Sequence, residues 1–173
     1  TLDNPGDLKI IGNNAARYNF GINGFVSWKG VDLSFLMQGV AKRDAWIGGE
    51  IMFPHAGTFS TFLSHQMDYW TPENPNAYYG RIYQNAQYAH SVNQWTQTKF
   101  LSNAAYLRMK NITLGYNLPK SLCQKMSLIG AKVFFSGENL FTISSLLPGI
   151  DPEALSWQYP MTATYSFGVS INL

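Results

Sequence analysis

The last twelve residues constrain the fold most. From Thr162 to Leu173 they read TATYSFGVSINL. Tyr165, Phe167, Val169, Ile171 and Leu173 fall in one phase, and Thr164, Ser166, Gly168, Ser170 and Asn172 in the other. Strict period-two alternation puts one set of side chains on each face of an extended strand. A helix of this sequence would mix the two sets on every face.

The same alternation recurs upstream. In 17–28, Tyr18, Phe20, Ile22, Val26 and Trp28 alternate with Asn19, Gly21, Asn23 and Ser27. Lys29-Gly30 reads as a tight turn into 31–40, where Leu33, Phe35 and Met37 alternate with Asp32, Ser34 and Gln38. These two segments predict a hairpin. Further strands are expected over 106–118, ended by Pro119, and over 129–139, with 162–173 as the fifth. Short connections at 29–30 and 119–128 alternate with long ones at 41–105 and 140–161. Helices are expected in the first long stretch at 55–68 and 81–95.

Composition narrows the class. Aromatics make up 15% of the 173 residues and charged residues only 13%, so polarity comes mainly from uncharged groups. The net charge of +2, with scattered Lys and Arg, argues against a nucleic-acid partner. Cys123 is the sole cysteine, which excludes an internal disulfide and a cysteine metal site. No apolar run approaches the length of a membrane-spanning helix, but membrane strands are half polar and pass such a filter. The opening residues carry no signal-peptide pattern, and a start at Thr1 is expected of a processed or excised piece.

Long connections at one end and short turns at the other suit an up-and-down meander in an outer membrane. A strand of about 12 residues, tilted by about 45°, rises through the hydrocarbon layer. The apolar phase would then face lipid, with Tyr18, Trp28 and Tyr165 in aromatic belts. Asp32, Lys132 and Glu138 would face the lumen. Arg108 and Lys110 share the phase of Ile112, Leu114 and Tyr116. They are expected to lie on a strand end beyond the hydrocarbon, near lipid phosphates, rather than beside a bulge. The alternative is a soluble β-rich domain whose apolar phase faces a core, acting as a carbohydrate-binding or protein-interaction module.

Several stretches together resemble the SusC/RagA family of TonB-dependent outer-membrane transporters of Bacteroidetes. They are DNPGDLKIIGN at 3–13, YNFGINGFVSWKGVDLSFLMQG at 18–39 and DYWTPENPNAYYGR at 68–81. YLRMKNITLGYNLPKSL at 106–122, KVFFSGENLFTI at 132–143, PGIDPE at 148–153 and YPMTATYSFGVSINL from 159 complete the set. The resemblance implies an all-β fold. It would be an antiparallel up-and-down transmembrane barrel of about 22 strands, of which this chain supplies about the last five. Residues 1–173 would be one carboxyl-terminal portion, with 41–105 and 140–161 as outer loops.

The resemblance also implies a role. Such proteins import oligosaccharides or oligopeptides, driven by the TonB complex through an amino-terminal part absent here. The implied partners are the remaining barrel and plug, a SusD-like surface lipoprotein as lid, and outer-membrane lipid. The implied location is the bacterial outer membrane, as a multi-pass protein. Tyr165, Phe167, Val169, Ile171 and Leu173 resemble the barrel-insertion signal. Two departures stand out: Leu173 replaces the common terminal Phe, and Tyr79-Gly80-Arg81 replaces a Tyr-Pro-Arg segment.

Aromatic faces stack on sugar rings, so Trp46, Tyr78, Tyr83 and Trp95 are the candidate contacts to substrate or lipoprotein. Trp70 and Tyr88 belong to the same aromatic-rich stretch, Trp70 in a structural role. His55, His65 and Asp68 are too irregularly spaced to predict a metal site. Calcium is considered for the outer loop at Asp151 and Glu153, although two carboxylates fall short of the six to eight oxygens it takes. No other cofactor is expected. No nucleophile–base pair or carboxylate pair points to an enzyme.

Overall fold

The computed structural model describes residues 9–57, 59–83, 93–156, 158–159 and 161–173. Among them run strands β1 (Asn19–Trp28), β2 (Val31–Val40), β3 (Asp44–Trp46) and β4 (Leu101–Asn103). β5 (Tyr106–Asn117), β6 (Gly130–Glu138), β7 (Thr142–Ser144) and β8 (Thr164–Asn172) follow. One short helix, α1 (Lys120–Lys125), joins β5 to β6. The chain divides into two compact units.

The larger unit draws on 15–43, 104–154 and 158–173. It is an antiparallel sheet in the order β1-β2-β5-β6-β8, with β7 paired to the start of β5. Lys29 and Gly30 turn β1 into β2 with φ of 48° and 87°. Both lie in the left-handed region that a two-residue hairpin of right-handed twist requires. The register then aligns Val26 with Leu33, Leu33 with Leu114, Leu114 with Phe135, and Phe135 with Phe167. One face is thus a continuous apolar row across five strands. The opposite face aligns Ser27 with Asp32, Asp32 with Gly115, Ser34 with Thr113, and Lys132 with Ser170.

The sheet does not close. β1 and β8 pair on one side only among the described residues, and no sheet forms a barrel. The expected transmembrane barrel wall is corrected accordingly. Five long strands make an open, one-sided sheet, too few to curl back on themselves when even small closed barrels need about eight. The apolar face is exposed, Phe167 at 75% and Trp28 at 68%. Among the described residues no helix is long and apolar enough to cross a membrane.

A second correction concerns β5. Leu36 faces Asn111, but its neighbour Met37 faces Met109, so Lys110 is an extra residue in the ladder. A bulge of this kind flips the phase beyond it. Arg108 therefore aligns with Gln38 on the polar face, and is 3% exposed instead of reaching toward lipid.

The smaller unit draws on 1–14, 44–103 and 155–157. β3 and β4 form its two-stranded ribbon. Its core holds Ala45, Ile47, Met52, Phe53, Gln66, Tyr79 and Phe100. Over 55–68 a single 3-10 turn forms at Ser64–Met67 in place of the expected helix. The side chain of Gln66 explains part of this. It accepts from Leu63 N at 2.9 Å and donates to Glu50 O at 2.6 Å, which pins the turn to a distant segment. Most of the helix expected over 81–95, and Tyr88, lie outside the described residues.

Candidate functional site

The most heavily bonded cluster is ionic and sits where β5 meets the 140–161 connection. Arg108 Nη2 donates to both carboxylate oxygens of Asp151, each at 2.9 Å. Its Nε donates to Thr142 Oγ1 at 2.7 Å, on the strand that pairs with Tyr106–Arg108. The Asp151 oxygens also accept from Glu153 N at 2.9 Å and Met161 N at 3.2 Å. Burial pushes the Asp151 carboxyl up, but these two backbone donors and the guanidinium outweigh it and hold it below its ordinary range. Glu153 Oε1 lies 2.7 Å from Lys110 Nζ and 3.2 Å from Arg108 Nη1. Both carboxylates considered for calcium are thus neutralised by cations of the same chain.

Phase counting misplaced Arg108 because a bulge leaves no mark in hydrophobic periodicity. The available signal was the pairing of two cations at the wrong phase, Arg108 and Lys110, with the acidic PGIDPE stretch.

A second polar network spans four strands. Asp32 accepts from Ser27 Oγ at 2.7 Å, Asn117 Nδ2 at 2.8 Å and Lys132 Nζ at 2.8 Å. Glu138 lies on the same face at the far end of β6, opposite Asn111 and Thr164. Of the three polar residues singled out from the sequence, two are brought together.

The aromatic candidates separate in the same way. Trp46 and Tyr78 join one cluster in the smaller unit. Trp46 lies 5.8 Å from Phe53 and 6.5 Å from Phe100, ring centre to ring centre. Tyr78 meets Tyr79 edge-on at 4.9 Å and Phe100 at 5.5 Å. Burial, then Tyr78 and Asp68, push the Tyr79 phenol up to about 12. Phe100 is the hub, and Phe53 and Phe100 were not singled out from the sequence. Tyr83 lies outside this cluster, 5.9 Å beneath Arg81, and Trp95 is 66% exposed.

Asp68 caps a turn rather than facing a metal. It accepts from Asn74 Nδ2 and from Tyr78 N, each at 3.0 Å. His65 Nε2 lies 2.7 Å from Ile51 O. Among the described residues no group of three His, Cys, Asp or Glu side chains could hold a metal.

Tyr165, Phe167, Val169 and Ile171 share the apolar face of β8, and Tyr165 stacks 6.2 Å from Phe135. Leu173 follows the strand and is 88% exposed.

An alternating sheet with long connections defines a class, and comparison with known proteins narrows it. No protein-family model matches the chain. It is 29% identical over 86% of its length to TonB-dependent receptor P3 of Formosa agariphila, and 28% identical over 96% to receptor P26 of that organism. It is 39% identical over 42% of its length to TonB-dependent receptor SusC of Bacteroides thetaiotaomicron. The chain spans 14%, 18% and 8% of these relatives.

Its structure is similar to the RagAB peptide transporter, with a TM-score of 0.64, 27% identity, and 88% of this chain and 16% of that one covered. In the open-open state of the RagAB peptide importer the TM-score is 0.59 at 25% identity, covering 90% and 17%. The chain thus has distant, partial homology to TonB-dependent receptors of the SusC/RagA kind. These relatives are named as TonB-dependent receptors and as a peptide transporter or importer, none of them as an enzyme.

Proposed function

We propose that this chain is part of an outer-membrane transporter that imports oligosaccharides or oligopeptides into the periplasm under a SusD-like lipoprotein lid. The remainder of the transporter, including its plug, would supply the coupling to TonB. The observation that carries the reading is the joint match over nearly the whole chain. It aligns with receptor sequences over 86% and 96% of its length and with RagAB over 88%.

Within this reading the 44–103 unit contributes recognition surface. Trp46, Tyr78, Tyr83 and Trp95 are its candidate contacts to substrate or lipoprotein. Asp32, Lys132 and Glu138 line the polar face, where they would pair with the plug. Tyr165, Phe167, Val169, Ile171 and Leu173 serve as the signal for membrane insertion.

Deletion of the gene in its host, followed by growth on individual oligosaccharides and oligopeptides, tests this. The expected result is loss of growth on one substrate class, reproduced by removing TonB. Unchanged growth on every substrate would overturn it.

A further inference from the structure

We propose that Arg108 and Lys110 form a binding site for carboxylate-bearing oligomers, occupied in this structure by the chain's own Glu153. The two halves of the ionic cluster differ in quality. On the Asp151 side, one guanidinium nitrogen meets two oxygens at 2.9 Å, and the side chains are 4% and 5% exposed. Two backbone N–H groups complete that half. It is a finished, water-excluded anchor.

On the Glu153 side Lys110 Nζ donates to Oε2 at 2.9 Å, and the weak point is the guanidinium. Arg108 Nη1 stands 3.2 Å from Glu153 Oε1, yet both buried atoms lack a properly directed hydrogen bond. A buried guanidinium nitrogen left in that state calls for a reason, because such groups are satisfied in the great majority of cases. The same half is the less buried one, with the Lys110 and Glu153 side chains each 20% exposed. Lys110 is also the extra residue of the β5 bulge toward β2, while its carbonyl accepts from Asn139 N at 3.1 Å. An incoming carboxylate can approach from that side, take the Lys110 ammonium and align on Arg108 Nη1. Glu153 would swing out while Asp151 keeps the loop attached. The incoming carboxylate would take one charge-assisted bond from Arg108 Nη1 and one from the Lys110 ammonium.

The ligand class is therefore an oligomer bearing carboxylates, either a uronate oligosaccharide or an acidic peptide. The proposal stands apart from the transport reading, because it concerns binding alone.

Isothermal titration of the intact protein with trigalacturonate and with triglutamate tests it and distinguishes the two sources. Maltotriose and trialanine at matched ionic strength serve as neutral controls. Glu153→Gln removes the competing charge, and binding of at least one acidic trimer is expected to tighten about fivefold, the low end of what an unsatisfied buried group is worth. Lys110→Gln is expected to weaken the same binding by a similar factor, and it leaves the Asp151 anchor in place should Arg108 variants fail to fold. A purely structural cluster predicts that Glu153→Gln leaves ligand affinity unmoved. That result, or equal binding of the neutral trimers, overturns the proposal.

Discussion

Phe134 and Gly168 face each other directly across β6 and β8, and the Phe134 ring fills the space a side chain on Gly168 would need. The glycine is there for contact: an aromatic ring on the polar face lies against bare backbone. Gly168→Ala is expected to cost about 1–3 kcal/mol through overpacking. In a Phe134→Ala background the same change should cost distinctly less. Denaturant unfolding of the four variants in a cycle measures the difference, and equal costs in both backgrounds would remove the contact from the account.

Arg108 and Asp151 form a pair that is expensive to break from one side. Asp151→Asn leaves a buried guanidinium with only the longer contact to Glu153 as counter-charge, a loss of up to about 3–5 kcal/mol. Arg108→Lys also loses, because an ammonium cannot reproduce the bond to Thr142 together with the bond to Asp151. Hydrogen exchange at Thr142–Ser144 reports the damage first, since β7 is tied to β5 at this point.

The same pair sets an acid limit. The Asp151 carboxyl is held below its ordinary range, so its stabilisation is complete above the unfolded value of about 3.9 and fades as pH falls through the lower folded value. Amide protection at Glu153 and Met161, corrected for intrinsic exchange, is expected to be flat from neutrality down to about pH 4 and to collapse below it. Collapse already near pH 6 would mean that another group controls the loop.

Asp68 staples the 68–79 turn, and Trp70 N→Tyr79 O at 2.9 Å closes it. Asp68→Ala removes two acceptor contacts at a cost of about 1–3 kcal/mol, confined to this turn. Faster exchange of the Tyr78 and Tyr79 amides, with the β2–β5 ladder unchanged, is the expected pattern.

Phe100 joins Trp46, Phe53, Tyr78 and Tyr79. Phe100→Ala should cost about 3–5 kcal/mol. The emission of Trp46 is expected to shift to the red as its ring neighbour disappears.

The alternation that identifies the strands is legible because side-chain direction follows from chain geometry alone. Tyr165 through Ile171 could point no other way once extended. Three things escape that logic. Closure is a property of strand ends, and the phases of Phe20 and Phe167 say nothing about whether β1 and β8 meet. The bulge at Lys110 adds one residue to a ladder without changing the composition around it, so Arg108 counted with Ile112 and sits with Gln38. The 41–105 stretch is organised by contacts between distant residues, such as Gln66 with Glu50 and Trp46 with Phe100. No periodicity encodes these, so its rings could be named as a group but not sorted into hub and periphery.

Among the described residues the outer margins of β1 and β8 are unpaired, which has a consequence of a different kind. Each offers a row of backbone donors and acceptors, and the two rows lie at opposite ends of one sheet. In the language of polymer chemistry such a unit is a bifunctional monomer. Released on its own at high concentration, it would grow edge to edge, with NFGINGFVSW and TYSFGVSIN as its reactive ends.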